Sequence, residues 1–328
     1  MVKYLVIRFS SIGDIVLTTP VLRSLNEQLE EASVQYLTKP AFAEILANNP
    51  HIQKVHVLKN SLSDTIRELE NEEFDYIIDL QNNIKSIRIK RSLRRMYFTV
   101  DKLNFKKWVY VNFKINKLPD KHIVDRYLDT LRLFDVSNDQ KGLDYYLSEN
   151  DKKSLSCIPE SFNNGYVCLV IGANHETKKL TTAQLSHLIE KINKPVVMIG
   201  GMEDQTNGEI IIKANSKKDI FNGCGKWSIN ESAAVIKESL CVITHDTGMM
   251  HISAAFKKDI ITIWGNTLPA FGMYAYKPGK KSINIEVPDL PCRPCSKLGK
   301  KKCPKSHFKC MLDQDLDKIS HQVNLITT

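Results

Sequence analysis

A carboxylate at the start of a helix can be a cap or a general base, and Asp14 in "VIRFSSIGDIVLTTPVL" is placed to be either. An apolar run leads into a Ser10-Ser11-Ile12-Gly13 corner that carries no bulky side chain. The free N–H groups of a helix's first turn attract anions. A carboxylate among them would repel a phosphate, yet the helix dipole would keep it ionised. Two readings stay open: a first-turn acid of the kind helices favour, or a proton acceptor beside a substrate.

Three further strand-to-helix corners carry complementary chemistry. In "CVITHDTGMMHISAAF", Asp246, Thr247 and Gly248 offer a cap, a hydroxyl and bare backbone N–H groups, a suitable cradle for a diphosphate. His251 follows Thr247 by four residues and so shares its helix face; it is either a buried core histidine or part of that corner. "IGANHETKKLTTAQL" carries Lys178 and Lys179, which beside a diphosphate could neutralise a leaving group. "VVMIGGMEDQTNGEI" ends a strand in two glycines and then offers Glu203 and Asp204, where acids could take ribose hydroxyls. No G-x-G-x-x-G is present, so a dinucleotide site is weakly supported. Cys292, Cys295, Cys303 and Cys310, with His307 among them, are dense enough for zinc, but their spacing matches no standard finger and Cys is also a common small buried residue, so a metal there is left uncommitted.

The elements that must hold these residues are legible as apolar runs. "YLVIRF", "SVQYL", "KVHVL", "DYIIDL" and "YFTV" are strand candidates in the first half. "YVCLVI", "PVVMIG", "DIFN", "CVIT" and "IITIW" are those in the second. Continuous apolar strands separated by amphipathic helices predict parallel sheets covered on both faces. The expectation is an α/β chain of two doubly wound, Rossmann-like domains facing a central cleft, since ligands sit outside the carboxyl ends of such strands. Helical spacing predicts a helix over His122–Val136, and the polar, turn-rich stretch after it puts the boundary near residues 150–163. The division predicted is residues 1–158, 159–310 and 311–328. The last is one amphipathic helix, with Leu312, Leu316, Ile319, Val323 and Ile326 in phase, expected to pack back across the first domain.

The 328 residues carry a formal charge of +9, concentrated in "KSIRIKRSLRR", "DKLNFKKW" and "KLGKKKCPK". Such clusters favour an anionic partner: nucleic acid, lipid head group or phosphorylated saccharide. No apolar run reaches the roughly 18 residues of a spanning helix. "MVKYLVIRF" reads as the start of a folded strand rather than a secretion signal, so the expected location is cytoplasmic. A nucleic-acid-binding protein with a C-terminal zinc module would use the basic arms. It would have no use for Asp14 or the His-Asp-Thr-Gly corner, and no aromatic–basic stacking platform is visible.

Read together, "SSIGDIVLTTPVLRSL", "DLQNNIKS", "HDTGMMHISAA", "WGNTLP" and "PCRPCSKLGKKKCPKSHFKCM" resemble, in order, the bacterial heptosyltransferases of glycosyltransferase family 9. The resemblance implies a GT-B fold. It implies inverting, metal-independent transfer of a heptose from ADP-heptose to an anionic lipid-linked oligosaccharide acceptor of the lipopolysaccharide core. No cofactor and no nucleic acid are implied, and contact with the inner membrane's cytoplasmic face is. Matched by motif, Asp14 stands at the general base and Lys178 at a catalytic, donor-contacting lysine. Asp246, Thr247, Gly248 and His251 match the donor diphosphate and sugar region, and Lys85 and Arg126 fall at the acceptor; Ser11, Gly13, Glu203 and Asp204 are assigned to the donor beside them. The chain departs from the family in "KKLT", where Lys-Arg-Trp-Pro or Lys-His-Trp-Pro is usual, and at Asn266, where Gly-Pro-Thr is usual. These departures leave open a related transferase using another nucleotide sugar or acceptor.

Overall fold

A computed structural model describes residues 1–328, which divide into two compact units. The first comprises Met1–Asn104 and Lys121–Tyr146, the second Phe105–Asp120 and Leu147–Thr328.

In the first unit the strands are β1 (Val2–Ile7), β2 (Ala32–Thr38), β3 (Lys54–Val57), β4 (Tyr76–Asp79) and β5 (Met96–Thr99). They form one parallel sheet in the order β3-β2-β1-β4-β5. Its helices are α1 (Ile12–Val16), α2 (Thr19–Gln28), α3 (Leu62–Glu70) and α4 (Ile84–Leu93); α5 (Asn104–Phe113) is the excursion into the second unit, and α6 (Ile123–Leu128) returns. The chain winds one way from β1 through β2 to β3, then crosses to lay β4 on the other side of β1. That reversal puts the loops after β1 and β4 side by side, where a ligand crevice belongs.

The second unit repeats the plan with β6 (Val167–Val170), β7 (Val196–Ile199), β8 (Ile220–Asn222), β9 (Cys241–His245), β10 (Ile260–Trp264) and β11 (Ile283–Glu286). The order is β11-β10-β9-β6-β7-β8, again all parallel. Its helices are α7 (Thr182–Glu190), α8 (Gln205–Ala214), α9 (Ile229–Glu238), α10 (Gly248–Ala255), α11 (Lys309–Leu312) and α12 (Leu316–Thr327). Every residue of β6, β7, β9 and β10 is buried, as strands covered on both faces require. Here the reversal lies between β6 and β9. The loops carrying Lys178 and Asp246 become neighbours.

Four expectations about boundaries change. The turn-rich stretch after α6 is not a linker, because Arg23 on α2 pairs with Asp139 at 2.6 Å and with Asp144, and donates to the Gly142 carbonyl at 2.8 Å. These pairs bind residues 139–144 to the first unit, so the division falls after Tyr146. The 3₁₀ turn Asn150–Cys157 belongs to the second unit, with Ser154 Oγ donating to the Glu231 carbonyl at 3.0 Å. The helix expected over 122–136 is α only to Leu128 and tightens to 3₁₀ over Asp129–Phe134. The C-terminal segment is two helices broken at Asp313–Asp315, with Asp315 capping α12 through the Lys318 N–H at 2.8 Å.

Helix α12 packs within the second unit rather than across the first. Ile319 and Val323 are fully buried in its core, Asn324 exchanges hydrogen bonds with Asn193 N and the Lys191 carbonyl, and Lys191 pairs with Asp317. Burying two such side chains contributes on the order of 3–6 kcal/mol, more than solvated polar contacts at an end helix would supply.

The basic run on α4 is also divided by burial. Ser86, Ile89, Lys90 and Leu93 face the core. Lys90 Nζ lies 2.9 Å from Asp79 Oδ2 and 2.7 Å from Thr99 Oγ1, with Asp79 fully buried. Lys90 therefore does not belong to an anion-binding face; Lys85, Arg88, Arg91, Arg94 and Arg95 remain exposed. Lys90→Ala should lower the unfolding free energy by about 3–5 kcal/mol, the scale for stranding one member of a buried pair. Urea unfolding of the purified variant checks this; a shift under about 1 kcal/mol would mean Asp79 is adequately held by its remaining donors.

Candidate active site

Asp14 sits at the third position of α1 and turns back on its own corner. Its Oδ2 accepts from Ser11 N at 3.1 Å and Ser11 Oγ at 3.0 Å, closing a capping box. Its Oδ1 lies 2.6 Å from an Arg8 guanidinium nitrogen. Arg8 is itself buried and donates to the Ser10 carbonyl at 2.8 Å and the Leu80 carbonyl at 2.7 Å, which fixes the guanidinium between the loops after β1 and β4. Burial alone would raise the Asp14 pKa. The Arg8 charge and the two Ser11 hydrogen bonds outweigh it and hold the carboxyl below its ordinary value. Asp14 is thus both the cap and an ionised carboxylate, and the two readings made from sequence are not exclusive.

The loop after β4 is built around Asp79. Its Oδ1 accepts from Gln81 N at 3.0 Å and Asn82 N at 2.8 Å, and Ser86 Oγ donates to its Oδ2 at 3.0 Å. Gln81 so held accepts from Phe9 N at 2.9 Å, joining this loop to the Asp14 corner. Asn83 caps α4 through Ser86 N, which places Lys85 in the first turn. Phe9, Ser10, Lys39, Gln81, Asn83, Ile84 and Lys85 line a cavity of about 330 Å³. Lys85 therefore shares this cavity with Phe9 and Ser10, the residues that lead into the Asp14 corner. Lys39, which follows β2 and precedes Pro40, joins it. Lys39 was not among the residues expected here; its one signal in the sequence is its position at a strand's carboxyl end. Arg126 does not line this cavity: it is 6% exposed on α6.

In the second unit Lys178 Nζ lies 2.6 Å from Asp246 Oδ2 and 3.1 Å from the Asp246 carbonyl. Thr267 Oγ1 donates to the same Oδ2 at 2.8 Å, a partner not identified from sequence. Thr247 stands at the N-cap position of α10 without a side-chain capping bond, its hydroxyl 3.2 Å from that of Thr244, and Gly248 opens the helix. A primary ammonium and a helix N-terminus so meet at one place, which is the chemistry of an anion site. His245, one residue before, is buried and accepts from Leu180 N at 3.0 Å through Nε2. Burial and the neighbouring Lys179 and Lys178 push its pKa down to about 3, so it stays neutral and serves to hold the lysine loop. His251 is buried one turn into α10.

Asn266 explains one departure from the family pattern. Its Oδ1 accepts from Thr177 Oγ1 at 3.0 Å, tying the Lys178 loop to the end of β10. Gly265 beside it is required by close approach: a Cβ there would fall 2.6 Å from the Thr177 carbonyl oxygen and 2.5 Å from Met311 sulfur.

Lys179 pairs with Asp204 at 3.2 Å and Glu176 at 3.1 Å, and Asp204 also accepts from Gly201 N at 3.0 Å. Both Lys179 and Asp204 line a cavity of about 540 Å³ with Leu180, Thr181, Lys301, Lys302 and Phe308. Glu203 is exposed and outside it. Of the cysteine box, Cys292 Sγ lies 3.8 Å from His307 Nε2, and the four residues are free thiols with no three ligand side chains grouped to hold a metal ion.

Two doubly wound parallel units, each with its polar corner at the reversal of strand order, define the class as an α/β protein of the GT-B type. Residues 63–305 match the family Glycosyltransferase family 9 (heptosyltransferase), and the chain belongs to it. It is 25% identical over 288 residues to Lipopolysaccharide heptosyltransferase 1 of Campylobacter coli, covering 81% of this chain and 84% of that one. A glycosyl transferase family 9 structure from Veillonella parvula superposes with a TM-score of 0.80 at 18% identity, over 99% of this chain and 97% of that one. The E. coli heptosyltransferase WaaC solved with ADP gives 0.68 at 17% identity, over 99% of each chain.

Proposed function

We propose that this protein is an inverting transferase that moves a heptose from ADP-heptose to an anionic, lipid-linked oligosaccharide of the lipopolysaccharide core. Its second unit binds the donor and its first the acceptor, at the cytoplasmic face of the inner membrane. The observation that carries the reading is the meeting of Lys178 with the Thr247–Gly248 helix start at the reversal of strand order. Family membership and a relative solved with ADP support the choice of donor.

As the bond from the anomeric carbon to the diphosphate breaks, negative charge grows on the departing phosphate oxygen. Lys178 and the first N–H groups of α10 lie where they can stabilise it, without a reorganisation of solvent. The nucleoside is assigned to the cavity lined by Lys179 and Asp204, with Asp204 toward the ribose. The acceptor hydroxyl attacks the opposite face of the anomeric carbon, inverting it, and gives its proton to Asp14. Ser11 and Gly13 border that corner. Lys85 and Lys39 bind the acceptor's anionic groups.

A thermal-shift series with ADP, UDP, GDP and CMP tests the donor: stabilisation by ADP alone is expected, and a shift with UDP but not ADP would overturn it. Lys85→Ala should raise the acceptor's KM about tenfold, the loss of one charge-assisted contact, and leave the donor's KM unchanged. Steady-state kinetics with each substrate varied checks this. Equal effects on both substrates would remove Lys85 from acceptor binding.

A further inference from the structure

Helix α5 has no buried residue, although six of the ten residues in its sequence, "NFKKWVYVNF", are aromatic or aliphatic. One side is anchored on the second unit. The Tyr110 ring meets Phe271 edge-on at 6.0 Å, Lys107 Nζ lies 5.9 Å over the same ring, and Lys114 donates to the carbonyls of Pro294 at 2.6 Å and Cys292 at 3.2 Å. The other side carries Phe105, Trp108 and Phe113, which are 75%, 49% and 60% exposed. The rings pack on one another, Phe105 stacked on Trp108 at 6.1 Å and Phe113 edge-on to Trp108 at 5.5 Å. Ile115, just beyond the helix, is exposed too. A contiguous exposed apolar patch of this kind marks a surface that something covers.

We infer that α5 is an interfacial helix that seats the protein on an anionic lipid surface, with Phe105, Trp108 and Phe113 entering the head-group layer. The charge around it selects that occupant. Residues 102–117 contain five lysines and no aspartate or glutamate. Lys106 and Lys117 are exposed beside the rings. Aromatic residues on one face with lysines flanking them is the pattern of helices that lie in the plane of a membrane surface. Lysines near such a surface each gain from its negative potential. The inference deepens the reading of a lipid-linked acceptor, because it gives the route by which a protein with no helix long and apolar enough to cross a membrane reaches one.

The test is co-flotation of the full chain with vesicles of phosphatidylcholine alone and of phosphatidylcholine mixed with phosphatidylglycerol, reading Trp108 fluorescence in parallel. Binding is expected to the mixed vesicles only, with a blue-shifted emission, and to weaken as salt is raised. Phe105→Ser with Phe113→Ser should reduce binding at least tenfold. Lys106→Glu with Lys117→Glu should reduce it about thirtyfold or more, from roughly fivefold for each lysine lost. All four positions are exposed, so both variants should melt as the wild type does. No binding to the mixed vesicles, or unchanged binding by the serine variant, overturns the inference. So does a concentration-dependent dimer that the serine variant abolishes while vesicle binding is absent, since the occupant would then be a second copy of the chain. The ADP shift measured on the same samples reads the donor assignment separately.

Discussion

Asp14→Asn should transfer sugar about 10²-fold more slowly or worse, the usual scale for removing a general base, while ADP still stabilises it. The substitution keeps an oxygen for Ser11 but removes the charge facing Arg8, which is 6% exposed. The variant should therefore also lose about 1–3 kcal/mol of stability, the cost of leaving a buried charged group less well paired. Ser11→Ala separates the two roles. It removes the hydroxyl bond to Asp14 but leaves the Ser11 N–H bond and the Arg8 pair, so it should cost about 1.5–3 kcal/mol of stability, the range for a hydrogen bond to a charged group, and slow transfer less than Asp14→Asn does. Rates and melting curves on the two variants check this. If Asp14→Asn transfers at the wild-type rate, Asp14 is a cap alone.

The pH dependence has a definite sign. Asp14's folded pKa lies below the ordinary aspartate value of 3.8. Its contribution to stability is therefore complete above that value and is lost as pH falls through the lower folded one. The same shift means that no acid limb in kcat/KM above about pH 4 should arise from this base in the free enzyme.

Lys178→Ala should lower kcat by about 10²–10³-fold, the scale for deleting one preorganised group that stabilises developing charge. It should also cut the ADP-induced shift. Without Lys178, Asp246 keeps only the Thr267 hydroxyl as a side-chain donor and turns its charge on the diphosphate. Pairing Lys178→Ala with Asp246→Asn should recover part of the ADP shift and little of kcat, because the repulsion is relieved but no cation is restored. The reading assigns the leaving-group charge to this lysine and to helix N–H groups, so wild-type activity should survive EDTA. Lost activity that magnesium restores would transfer the role to a metal. ADP binding and kcat both within a few-fold of wild type in Lys178→Ala would remove Lys178 from the donor site.

Both largest effects rest on pairs that differ in how well the sequence announces them. Lys178 and Asp246 each stood out as a corner residue, yet they are 68 positions apart and meet only because β9 is laid beside β6. Arg8 gave no signal as Asp14's partner; it is an arginine ending an apolar run, aimed by the turn that follows. Lys90 did carry a signal. Ser86, Ile89, Lys90 and Leu93 share a helical phase, and a lysine in phase with apolar residues is buried when a carboxylate waits at the strand end, as Asp79 does. The missed strand, β11, alternates buried or half-buried Ile283 and Ile285 with exposed Asn284 and Glu286. An edge strand needs only one apolar side, so it lacks the continuous run that marked the others.

What the sequence determined by itself was the set of strand–corner–helix modules, since apolar runs, glycines and caps act over a few residues and are read where they stand. It also determined which corners are acidic and which basic. Tertiary structure alone decided which corners adjoin, that residues 139–144 are bound back by Arg23, and that α12 closes the second unit. Those outcomes depend on strand order and on burial shared between segments more than a hundred residues apart, such as Arg23 with Asp139 and Lys191 with Asp317. Local propensity carries no record of a partner at that distance; only packing and the pairing of charges removed from water select it.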